Sequence, residues 1–220
     1  MSAERPILVS SALIGPILRG EKRVTRRLPR NPGGWHLHPA GPTTLSCYHT
    51  APPHFYAERD IEAPCAVRDV LWVRETWAHT TLYGNPITVY NAEDNRTDYG
   101  GPWKPSNHMK RADARIFLRV EDVRVERVQD ITEEDAQREG LPSNSGPLSA
   151  LAGMFADRTI REFSLGALAD GLISLDTDGK ANHATYRGAF ACLWDSLAPA
   201  GSKWADNPWV WVIRFKLEAR

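Results

Sequence analysis

At 220 residues the chain can bury about 70% of the surface its unfolded form exposes, so one full-sized core needs no disulfide or metal staple. Its 27 lysines and arginines balance 27 aspartates and glutamates, which argues against coating duplex nucleic acid by phosphate neutralisation and leaves only a local basic site. No stretch approaches the roughly twenty apolar residues that cross a bilayer, no signal-peptide pattern opens the chain, and Cys47, Cys65 and Cys192 stand far apart. A cytoplasmic protein with reduced thiols is expected.

Between Pro6 and Leu18, apolar Ile7, Leu8, Ile14, Ile17 and Leu18 with Ser10 and Ser11 as caps predict a short helix ending at Gly20, with Pro16 inside it. From Leu28 to Pro64 the chain is rich in Pro, Gly and His and has neither period, which predicts a long surface excursion. VLWVRETWA, Val70 to Ala78, reads as one strand with Leu71, Val73, Glu75 and Trp77 on one face. After a polar stretch from Asp94 to Met109, ARIFLRVEDVRVERV offers two strands, bent or paired. Thr132 is placed to cap an acidic helix that Gly140 and Pro142 stop. Residues Ser143 to His183 read as an inserted, dispensable segment holding a helix from Leu148 to Phe163. Tyr186, Phe190, Leu193 and Leu197 recur at helical spacing, and WVWVIRFKL alternates as a closing strand. The sum is a single α+β domain over 1–220, with a small barrel or curled sheet, flanking helices and inserted loops at about 28–64 and 143–183.

The stretch GEKRVTRRLPR, Gly20 to Arg30, holds the densest chemistry. If the chain is extended after Gly20, Thr25 and Arg27 share a face and the stem of Lys22 reaches back over it. A threonine hydroxyl needs a base to act as a nucleophile, and lysine is one only when its amine is largely neutral. Burial and the neighbouring Arg19, Arg23, Arg26 and Arg27 all disfavour the ammonium form. The bland alternative, a solvated basic face after a helix, is the reading that composition alone favours.

The order G-x-K-x-x-T-x-R at Gly20, Lys22, Thr25 and Arg27 resembles the signature of the ASCH domain family, which has a PUA-like β-barrel fold. D-x-L-W-V at Asp69 to Val73, TEEDAQREG at Thr132 to Gly140 and W-V-I-x-F-K at Trp211 to Lys216 look like further segments of that family, in the same order. Where related chains carry glycine before the aspartate, this one has Arg68. W-x-P-S-x-H-M at Trp103 to Met109 and N-P-W-V-W-V at Asn207 to Val212 look like the longer phage and prophage members. Small bacterial members are amidohydrolases acting on N(4)-acylcytidines. The resemblance implies Thr25 as nucleophile, Lys22 as its base, Glu139 as a proton-handling or substrate-orienting acid and Arg27 as a binding or oxyanion group, with a modified nucleoside as partner; no metal or cofactor is expected. Glu139 falls at the carbonyl end of a helix beside Glu133, Glu134 and Asp135, where an ionised carboxylate is disfavoured.

Trp103 and His108, in a polar loop, are candidates for stacking and contacting a base, and Arg74 and Glu75 are candidates to line the same cavity or pair with each other. Trp194, Trp209 and Trp211 read as core. His36, His38, Cys47 and His49 are zinc-ligand types without a zinc spacing, and DTDGK at Asp176 to Lys180 is a turn. Two other functions compete with hydrolysis of a nucleoside amide: RNA or single-stranded nucleic-acid binding by a PUA-like module, and a ribonuclease that uses the same lysine and threonine.

Overall fold

The computed structural model describes residues 2–30, 35–51, 54–92, 101–141, 146–156 and 162–218. A strand, β1 (Glu4–Leu8), precedes the predicted helix α1 (Ser11–Leu18). Of its five residues only Ile7 is buried, so no alternation announces it. Its conformation comes from parallel pairing with β6 (Val70–Arg74), register Glu4↔Val70 to Leu8↔Arg74. The aspartate of the D-x-L-W-V segment anchors that pairing: the Asp69 carboxylate accepts the N–H groups of Ala3 at 2.8 Å and Ala66 at 3.0 Å, and Arg5 Nε at 3.2 Å.

After β2 (Val24–Arg27) the expected loop excursion is instead a three-stranded antiparallel sheet, β3 (Trp35–Gly41), β4 (Thr44–Ala51) and β5 (His54–Glu62). Leu45 and Cys47 on β4 are fully buried, and Leu45 packs against the main body with Leu37 and Ile61. Two buried residues among the described side chains make too short a period-two signal to stand out among prolines and histidines. Cys47 Sγ donates to the Arg59 carbonyl, and all three cysteines are free thiols.

The predicted strand over Val70 to Ala78 breaks at Glu75 and Thr76 into β6 and β7 (Trp77–Leu82), which forms a hairpin with β8 (Asn85–Tyr90). The polar stretch from 94 lies partly outside the described residues and then forms short 3-10 turns at Ser106–His108 and Arg111–Asp113. The two strands expected next are one, β9 (Phe117–Arg127), paired along its length with β12 (Trp209–Leu217) across a single irregularity at Arg214/Phe215. Helix α2 (Glu133–Arg138) has the predicted cap, Asp135 N–H donating to Thr132 Oγ1 at 3.1 Å. Pro142, its expected stop, lies outside the described residues.

The segment expected to be dispensable forms α3 (Gly146–Ala156), α4 (Leu165–Ala169) and the hairpin β10 (Ile173–Leu175) and β11 (Ala181–Ala184), turned where predicted by Asp176 accepting from the Lys180 N–H. It is part of the core. Leu151, Ala167 and Ile173 pack with Phe190 and Leu193 of α5 (Tyr186–Leu197) and with Val210 and Val212 of β12. Removing it would expose the helix layer over the main sheet.

That sheet runs β1-β6-β9-β12-β2. One face of β12 gives Val210 and Val212 to the α5 side; the other gives Trp211, Ile213 and Phe215 to a second cluster with Leu71, Val73 and Leu118. Trp211 and Trp194 are buried as expected, and half-buried Trp209 carries the Arg127 guanidinium 4.0 Å over its ring. The end strands β1 and β2 share no ladder among the described residues, yet Arg27 Nη2 donates to the Leu8 carbonyl at 2.6 Å. The sheet therefore curls until its two ends nearly meet. The fold is mixed α+β, and among the described residues no helix is long and apolar enough to cross a membrane.

The turn before Asp69 keeps a conformation suited to glycine although Arg68 occupies it, at φ +77°. Its N–H donates to the Val120 carbonyl and its own carbonyl accepts from Arg119, contacts that involve only its backbone. Arg68→Gly relieves the left-handed strain, at the expense of a more flexible unfolded chain, and is expected to raise the unfolding free energy by about 0.5–1 kcal/mol in urea titration. A loss of stability would show that the arginine side chain contributes more than the strain removes.

Candidate active site

Lys22 is delivered by the exit of α1. The Pro16 carbonyl accepts the N–H groups of Glu21 and Lys22, and Arg23 is clamped between the carbonyl of Arg138 and the N–H of Phe215. The side chain is thereby turned inward and is 3% exposed. Glu139, 4% exposed, meets it from the end of α2. Lys22 Nζ donates to Glu139 Oε2 at 2.7 Å, to the Glu139 carbonyl at 2.6 Å and to the Val24 carbonyl at 2.9 Å. Gly140 makes this approach possible: at φ +96° it occupies backbone space that disfavours a side chain, and a Cβ there would lie 3.2 Å from Lys22 Cβ.

Burial lowers the pKa of Lys22 from its ordinary 10.5; the charge of Glu139 and its hydrogen bond oppose the shift, and the charges of Arg27 and Arg26 add to it. Three acceptors match the three protons of an ammonium, so the amine as placed has no lone pair free for Thr25. The expected Lys22–Thr25 hydrogen bond is not made. Thr25, 5% exposed and paired in register with Ile213, lines the same cavity as Lys22, and its hydroxyl has no hydrogen-bond partner among the described residues.

The surroundings of Glu139 also differ from the sequence expectation, which placed acids beside it. Glu133 is taken up by the N–H groups of Tyr186 and Arg187, and Glu134 by Arg138. The nearest charges are cations. Arg26 Nη1 lies 3.1 Å from Glu139 Oε1, and its Nη2 lies 3.1 Å from Glu126 and 3.6 Å from Asp135. Asp135 is further held by Arg124 at 2.9 Å and Arg214 at 3.3 Å. Arg26 is the site residue that sequence reasoning missed. Period two put it on the face opposite Thr25, where it reads as one more surface cation, and only its carboxylates, about a hundred residues away in sequence, make it internal.

A cavity of about 450 Å³ occupies the gap between the end strands. Lys22, Thr25, Arg27 and Glu139 line it on one side, with Ser106 at the rim. Phe190, Leu193, Trp194 and Leu197 of α5 form an apolar wall, the helical stripe expected from sequence to pack on something. A second cavity of about 690 Å³ lies on the inner face of the curled sheet and shares Leu8, Arg27 and Leu28 with the first.

The remaining predicted residues lie apart. Arg74 lines only the second cavity, its guanidinium 4.7 Å over the Trp72 ring. Glu75 does not pair with Arg74: it is buried and receives both Nε and Nη2 of Arg115 at 2.9 Å, and it lines neither cavity. Half-buried Trp103 and exposed His108 also line neither, although Ser106 of the same turn does. His36 and His38 lie on β3 and Cys47 and His49 on β4, and no metal-ligand cluster forms among the described residues.

Comparison with protein-family models, with curated proteins and with solved structures returns no match.

Proposed function

We propose that the chain is an amidohydrolase that removes the acyl group from the exocyclic amine of an N(4)-acylated cytosine nucleoside or base. The observation that carries this reading is the convergence, in one ligand-sized cavity, of a threonine hydroxyl without a partner among the described residues with a buried lysine and carboxylate 2.7 Å apart. The apolar wall of α5 suits the flat face of a base, and Arg27 stands within the same lining to meet a carbonyl oxygen. The sequence segments that resemble the ASCH family support the same assignment. The curled sheet would then be a PUA-like barrel whose seam is spanned by Arg27 rather than by backbone pairing.

The chemistry starts from the ion pair. One proton moves from Lys22 Nζ to Glu139 Oε2 along their 2.7 Å hydrogen bond, giving an amine and a carboxylic acid. The amine, turned from Glu139 toward Thr25, takes the Thr25 proton as Oγ1 bonds to the acyl carbon. As the C–N bond breaks, the acid of Glu139 protonates the departing cytosine amine. The acyl threonine and the restored ion pair remain. The same proton exchange then lets Lys22 activate water, and Glu139 returns a proton to Thr25 as the ester is cleaved.

The test is hydrolysis of N(4)-acetylcytidine by the full chain, followed across pH. Since the reacting form holds one proton on the Lys22–Glu139 pair, and that proton is lost as pH rises through the pKa of Lys22, which burial sets below 10.5, kcat/KM is expected to fall with pH along a limb centred below that value. Absence of hydrolysis, or a rate independent of pH from 6 to 10, would overturn the proposal. A second reading, nucleic-acid binding without hydrolysis, draws on the arginines of the second cavity; labelled RNA bound but uncut, with acetylcytidine untouched, would favour it. Cleavage of that RNA would favour the ribonuclease reading.

A further inference from the structure

The second cavity has a charge pattern that acyl transfer does not employ. Arg5, Arg27, Arg30 and Arg74 line it against a single carboxylate, Glu62. Arg5 is already engaged with Asp69 at 3.2 Å, and Glu62 accepts the Thr44 hydroxyl at 3.2 Å. Among the described residues, Arg27, Arg30 and Arg74 make no ion pair. The Nε atoms of Arg27 and Arg74 are shielded from solvent without a hydrogen-bond partner.

These cations are placed by the backbone. Leu8 holds one of them, its carbonyl accepting Arg27 Nη2 at 2.6 Å, and the backbone of Arg74 pairs in register beside it. The Trp72 ring under Arg74 holds that guanidinium flat. A planar, oriented guanidinium without a carboxylate is the usual partner of a phosphate oxygen. Arg27 is also the side chain shared with the first cavity, two residues along β2 from Thr25 and so about 7 Å away.

The geometry points to a phosphate subsite in the second cavity: the substrate is a phosphorylated cytosine derivative, with base and acyl group in the first cavity, its sugar passing Arg27, and its phosphate held by Arg74 and Arg30. This rests on the cytosine reading of the first cavity. The shared chemistry is a phosphate oxygen, whether from the monoester of a free nucleotide or a diester of a polynucleotide.

Calorimetric titration of the full chain with cytidine, cytidine monophosphate, a trinucleotide with central cytidine and inorganic phosphate separates these outcomes. One of the two phosphorylated probes is expected to bind at least tenfold more tightly than cytidine, and the tighter of them identifies the source. Inorganic phosphate should compete for that gain. Arg74→Met, which keeps an unbranched stem over Trp72 without the charge, should erase it, with circular dichroism confirming the fold. Equal binding of cytidine and both phosphorylated probes would overturn the subsite, as would a gain that survives both Arg74→Met and Arg30→Met. No probe carries an acyl group, so failed hydrolysis leaves this result standing. Phosphate binding weakened by Arg74→Met, without cytidine binding, would count against the base placement and support the subsite.

Discussion

Glu139→Gln is expected to lower the unfolding free energy by about 3–5 kcal/mol, a loss far larger than its near-isosteric shape would suggest. The reason is what the carboxylate compensates. Lys22 and Arg26 are almost wholly enclosed, with side-chain exposures of 3% and 1%, and Glu139 meets both. An amide retains the volume and can accept one hydrogen bond, but it leaves Lys22 without a counter-charge and Arg26 with only Glu126 and Asp135. Urea denaturation measures the effect as a shifted midpoint with an unchanged slope. The companion Lys22→Met/Glu139→Gln should recover part of the loss, because it removes one stranded charge as well. A loss below about 1 kcal/mol for Glu139→Gln would mean that water, not the carboxylate, solvates these cations.

Thr25→Val is expected to abolish hydrolysis of N(4)-acetylcytidine by at least about a thousandfold, with little change in stability. Valine preserves β-branching and shape in a strand position paired with Ile213, and the hydroxyl it removes has no partner to strand among the described residues. Thr25→Ser, which restores the hydroxyl, should recover most of the rate. Steady-state kinetics beside a melting curve distinguish this from a folding defect. Turnover within tenfold of the parent for Thr25→Val would remove threonine from the chemistry and leave water as the attacking species.

Legibility in the sequence followed the range of the forces involved. Helix α2 was readable because its cap is local: Thr132 bonds a residue three places along. Helix α5 and strand β12 were readable because each carries a long periodic pattern. β1 and the β3–β5 sheet were not, since their conformation comes from partners distant in sequence and, among the described side chains, only Ile7, Leu45 and Cys47 mark their buried faces. The same division runs through the site. The spacing of Lys22 and Thr25 was visible, and so was Glu139, but the pairing that decides their protonation was not. It depends on Arg26 and on three acceptors to Lys22, one of them a backbone carbonyl 117 residues away. Glu75 shows the converse, a strand-end carboxylate whose partner Arg115 lies 40 residues on.

The end strands have a bearing on solubility as well as on chemistry. In an open sheet, unladdered margins offer amide and carbonyl groups to any passing chain and invite edge-to-edge growth. Here Arg27 ties the two margins to within one side chain of each other, so an invading strand finds no straight template and the remaining slot admits only a small guest. Aggregation resistance and ligand entry thus draw on one gap, and a variant that widens it for bulkier guests should become more prone to self-association.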